Sequence, residues 1–128
     1  MTAFARAFAT SADLTPARAT GLVHSVTVPA AVRLLVPYLR TEDRPQACLG
    51  AWRTAAGIRA GYASPSRVAL REQPSGDRTE LIERAVAVEH VHAVKLVQAC
   101  WRAHDIDEND VLPVAAARAV EIYEAQAS

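Results

Sequence analysis

Apolar positions in this chain recur every three or four residues, and no apolar–polar alternation bounded by turn residues lasts long enough to predict a strand. The pattern predicts helices alone: an all-α, compact bundle of about five. The first begins at Thr15 and Pro16, where a threonine oxygen can cap exposed amides and proline at the first helical position loses no hydrogen bond. It runs through ARATGLVHSVTV and stops or kinks at Pro29. Pro29 opens a second helix, AAVRLLVPYLR, which Pro37 should bend by removing an internal donor. The polar TEDRP of residues 41–45 interrupts the pattern, with Asp43 as a cap.

The third helix, QACLGAWRTAAGIRAGYA, carries Gly50, Gly57 and Gly61. Each costs roughly 1 kcal/mol against alanine in a helix interior, so close approach of another backbone is expected there. A break rich in Ser, Pro, Gly and charge follows from Ser64 to Asp77, with VALRE as at most a short helical turn. Asp77 and Glu80 then form a D-x-x-E capping box that opens the longest helix, running to about His104. The acidic DIDEND separates it from a last helix, VLPVAAARAVEIYEAQ, whose Pro113 falls in the first turn. Asp107 or Asp110 is the expected cap.

Length and charge narrow the picture. The 128 residues amount to one helical domain, 1–128, able to bury about two-thirds of its unfolded surface without disulfides. Formal net charge is zero, so nonspecific affinity for nucleic acid or anionic lipid is not expected. Cys48 and Cys100 have no paired spacing, which suits free thiols in a reducing cytoplasm. The N-terminal MTAFARAFATSADLT has apolar runs too short for a signal peptide or membrane span, so a cytoplasmic protein with no membrane partner is expected.

The segment EHVHAVKLVQAC, residues 89–100, places polar groups where the pattern calls for core. Followed by threes and fours, the apolar stripe of the long helix is Leu81, Ala85, Val88, His92, Lys95 and Ala99. His90 would point about 200° away from His92 on an unbroken helix. A lysine on a core-facing line is neutralised, paired or chemically altered. The commoner outcomes are a snorkelling stem or a structural ion pair, and a functional role is the other. His104 at the helix end suits a protonated ring in the helix dipole. The DIDEND run lacks the glycine and glutamate of a calcium loop, with Asp110 and Ala116 in those places. Cys100 follows the same turn and is a candidate cavity residue, though buried cysteines commonly pack as small apolar groups. Trp52, Tyr62 and Trp101 are candidates for stacking on a flat substrate, with packing as the commoner role.

EHVHAVKLVQACWR resembles the HAIK-type signature near the C-terminus of the questin oxidase-like family. LVHSVTVPAAVRLLVPYL, followed by AWRTAAGIRAGYA, is similar to that family's His-x-Val-Thr step, LLPYL stretch and later tyrosine. The likeness spans about residues 20–105, in the family's order. It implies oxidative, Baeyer-Villiger-like opening of anthraquinone rings in polyketide pathways, at a non-haem iron held by histidines and a carboxylated lysine. Carried over by position, the metal ligands are His24, His92 and Lys95. Imidazole suits iron, and a carboxylated lysine is an oxygen-donor anion. Family members are far longer, and their N-terminal part supplies further histidines; neither His90 nor His104 maps onto those.

Three readings follow. In the first, a second chain completes a split oxygenase acting on an aromatic small molecule, which makes this chain part of a larger helical assembly. Alternatively a homodimer closes the site or binds a metal or aromatic ligand without turnover. In the third, the chain is a helical interaction or scaffold subunit with an apolar face awaiting a partner.

Overall fold

The computed structural model describes residues 1–127 and contains, among them, six α-helices, one short 3-10 turn and no strand. In chain order these are α1 (Thr2–Thr10), α2 (Pro16–Leu35), the 3-10 turn Val36–Tyr38, α3 (Arg44–Tyr62), α4 (Arg78–Ala87), α5 (Val91–His104) and α6 (Val111–Ala127). The all-α bundle expected from the periodicity is the fold.

Helix α6 is apolar on nearly every side, and it is buried accordingly, from Val111 and Leu112 through Val120 to Tyr123. Helices α1, α2, α4 and α5 all pack on it, while α3 folds back along α2 and buries only Ala51 and Ala55. The start signals behave as the sequence predicts. The Thr15 hydroxyl accepts the Arg18 amide, and the Asp77 carboxylate accepts the Glu80 amide at 2.9 Å. Asp43 sits at the start of α3 without a side-chain cap bond, and Asn109, not Asp107 or Asp110, accepts the Val111 amide at the start of α6.

Several expectations are corrected. The N-terminal segment is a helix: Phe4 and Phe8, one turn apart, are buried in the core with Ala5 and Ala9. Arg118 of α6 anchors its end by donating to the Ala9 and Ser11 carbonyls, two of the acceptors a helix C-terminus leaves without partners. Pro29 does not stop α2, which runs through it, and the helix ends only before Pro37. Proline in a helix interior costs about 3 kcal/mol, and the packing of α2 on α3 and α5 outweighs it. VALRE is extended, with the Val68 amide bonded to the Thr10 carbonyl at 2.8 Å. The longest expected helix is two, α4 and α5, broken at Val88–His90.

Because α2 is continuous, Pro16–Tyr38 forms a 23-residue segment containing an 18-residue window of mean hydropathy 1.4, long and apolar enough to cross a membrane by length and composition alone. Mostly buried core helices and N-terminal signal sequences satisfy the same criterion; here 28 % of the window is buried, with Ala19, Leu22, Val23 and Val26 against the bundle.

The glycine expectation also moves. A Cβ at Gly50, Gly57 or Gly61 would meet nothing within 4 Å, whereas one at Gly21 of α2 would overlap the Tyr62 ring of α3. Close approach therefore lies on α2. Gly21→Ala should lower stability by about 1–3 kcal/mol through overpacking, while Gly57→Ala should raise it by up to about 1 kcal/mol. Urea unfolding of the two variants checks the opposite signs.

Candidate functional site

The break between α4 and α5 builds the site. Val88 ends α4, Glu89 takes a left-handed φ of 54°, and His90 becomes the extended N-cap of α5. The His90 Nδ1 accepts the His92 amide at 3.3 Å, satisfying one of the amides that a helix start leaves free. Out of helical register, His90 no longer turns away from His92 as a continuous helix would require. Its ring lies 5.3 Å from that of His92 and stacks on Tyr123 of α6 at 4.0 Å with an interplanar angle of 17°.

His92, in the first turn of α5, meets His24 of α2 edge to face, with ring centroids 5.1 Å apart. Three imidazoles thus form a chain from α2 to the start of α5. The half-buried His92 has an Nδ1 shielded from solvent and without a hydrogen-bond partner. An unpartnered buried polar atom is expensive, which marks this nitrogen as open to a bound group. Behind this row, the Tyr123 hydroxyl pairs with Thr20 of α2 at 3.3 Å, and burial pushes the phenol pKa up. His90 and Tyr123 are the members that sequence reasoning missed. The Glu-His pair before a helical run was the only signal available, and it is weak.

Lys95 does not lie on the core line. Ala93, Leu96, Val97, Cys100 and Ala103 face the bundle, while Lys95 is exposed and lines a groove between α2 and α5 together with His24. On the extrapolated stripe His92 is half-buried and Ala99 buried, so beyond the break at Glu89 the reading by threes and fours fails at Lys95. The groove has a volume of about 570 Å³ and aliphatic walls from Val28, Ala31, Leu34, Ala99 and Ile106. Cys100 is not among its lining residues; it is fully buried, and burial pushes its thiol up to about 12. Cys48 is exposed and free.

The remaining candidates fall elsewhere. His104 closes the DIDEND loop by accepting the Asn109 amide at 3.2 Å, and Asp105 of that loop takes a two-pronged pair from Arg78 at 2.7 and 3.1 Å. Trp101 lies under the Arg78 guanidinium and edge-on to His104, its indole nitrogen buried without a partner. Trp52 is 60 % exposed on α3, and Tyr62 covers Gly21 of α2.

For a metal, the fit is partial. His24 and His92 offer two adjacent imidazoles, one with an unused nitrogen, and Lys95 borders the same groove as His24. Among the described residues, no three His, Cys, Asp or Glu side chains group as a metal site. No family model, curated protein or solved structure matches the chain.

Burial first, and then the nearby His24, His90 and Lys95 side chains, lower the His92 pKa from its ordinary 6.5. The unfolded chain then takes up the proton more readily than the folded one. The stabilising contribution of neutral His92 is complete above pH 6.5 and is lost as pH falls from there through the lower folded-state value. The urea midpoint of metal-free protein should therefore drop between about pH 7.5 and about pH 5.5, with a shallower drop in His92→Gln. An identical slope in the variant would remove His92 as its source.

Proposed function

We propose that this chain is the histidine-bearing helical portion of a questin oxidase-like non-haem iron oxygenase that opens an aromatic polyketide ring, acting with a second chain in the cytoplasm. The observation that supports it most directly is the His24–His92 pair, 5.1 Å between rings, with a buried and unpartnered Nδ1 on His92. The residues that would hold iron are His24, His92 and Lys95. Iron bound there would activate dioxygen for insertion beside a ring ketone.

This chain's own part is to present donors and exclude water. Neutral imidazole is the ligand form, and the lowered His92 pKa keeps that ring neutral near pH 7. The His90–Tyr123 stack and the Tyr123–Thr20 pair fix the turn from which His92 projects. Lys95 would become an anionic donor when its neutral Nζ attacks carbon dioxide, forming an N–C bond and releasing a proton. That step needs an apolar cover over the amine, and Lys95 is exposed in this chain. The exposed Leu34, Leu35, Tyr38, Leu49 and Trp52 on the α2–α3 pair supply a face on which such a covering chain would sit.

A second reading, a helical interaction subunit without chemistry, is favoured by the lack of a three-ligand group among the described residues. Metal analysis separates the two. Protein purified with its partner should carry near-stoichiometric iron and a Lys95 side chain heavier by one carbon dioxide in native mass spectrometry. Lys95→Ala and His92→Ala should each lose the iron. A stable complex free of metal, unaffected by both changes, would support the interaction subunit instead.

A further inference from the structure

The groove between α2 and α5 has a chemistry of its own beyond the histidine row. Its roughly 570 Å³ lie within the size range of small-molecule pockets. Around its aliphatic walls stand Arg33 from α2, Lys95 and Arg102 from α5 and the Met1 amino terminus; no aspartate or glutamate lines it, and Asp107 is the nearby carboxylate that acts on the Met1 ammonium. A general excess of positive charge does not explain this, because the chain's formal net charge is zero.

Elsewhere four arginines find carboxylates, Arg40 with Glu42, Arg71 with Glu121, Arg78 with Asp105 and Arg84 with Glu124, whereas Arg6, Arg18, Arg53 and Arg59 pair with none among the described residues. Arg33, Lys95 and Arg102 take part in none of the ion pairs or side-chain hydrogen bonds among the described residues. Beside an apolar concavity, these exposed cations direct a field that favours an anion at its rim.

We propose that this groove binds an amphipathic organic carboxylate, its apolar body along the Val28, Ala31, Leu34 and Ala99 walls and its carboxylate held by Arg33 and Arg102. A guanidinium presents two parallel donors that match a carboxylate, which makes the arginines the head-group contacts; Lys95 adds its charge only in the metal-free, uncarboxylated chain. The inference rests on the groove being a ligand site, as in the oxygenase reading, but needs neither iron nor turnover.

Calorimetric titration of the metal-free chain with decanoate, 1-decanol and decyltrimethylammonium, all below micelle formation, tests it. Decanoate should bind one-to-one and about tenfold or more tighter than decanol, the worth of one charge-assisted contact, with the cation not binding. Arg33→Gln and Arg102→Gln, both surface changes, should each weaken decanoate about tenfold and leave decanol unaltered. Equal binding of decanoate and decanol, or an Arg33→Gln/Arg102→Gln double variant indistinguishable from the parent, overturns the proposal. So does association with phosphatidylglycerol vesicles in the absence of any binding of monomeric decanoate. His92→Ala should lose iron and keep decanoate, so failure of the metal reading and failure of this one give different results.

Discussion

The left-handed backbone at Glu89 is the constraint on which the site depends. A non-glycine residue in that conformation costs about 1–2 kcal/mol, and here the cost is met on the spot. His90 caps α5 with its ring nitrogen, a contact of about 1 kcal/mol, and stacks on the buried Tyr123, worth about 0.5–1.5 kcal/mol more. With the turn held this way, α5 leaves at a new angle. His92 is aimed at His24, and Lys95 is carried out of the core to the edge of the groove.

The other half of the site comes from α2. Its passage through Pro29 keeps His24 and Arg33 on a single helix, so one rigid element supplies both a member of the imidazole row and a cation of the groove. Gly21 allows α3 to close on that helix through Tyr62, and Thr20 ties it to Tyr123. Packing and candidate chemistry thus share residues: the Thr20–Tyr123–His90–His92–His24 sequence of contacts joins α6, the α4–α5 turn and α2.

Local signals were legible in the sequence wherever they act over one turn. Thr15 with Pro16 and Asp77 with its amide partner at Glu80 mark real helix starts because capping is a short-range interaction. Phe4 and Phe8 carried an equally plain one-turn spacing, yet an alanine-rich terminus gives little contrast against which to see it. Pro29 misled because its local cost is overridden by contacts distant in sequence, and Gly50, Gly57 and Gly61 misled because composition cannot say which helix face meets a neighbour. The same limit governs the site. His24 meets His92 and shares a groove with Lys95, but an ideal-helix extrapolation cannot cross a left-handed residue, so His90 was turned the wrong way and Lys95 was placed in the core.

The geometry at the Glu89 turn is open to a direct test by proton NMR of the metal-free chain with its histidine rings assigned. The account predicts ring-to-ring nuclear Overhauser effects from His92 to His24 and from His90 to Tyr123, together with a break in helical amide connectivities at Glu89. Continuous helical connectivities from Ala87 to His92, with no His90–Tyr123 contact, would contradict it.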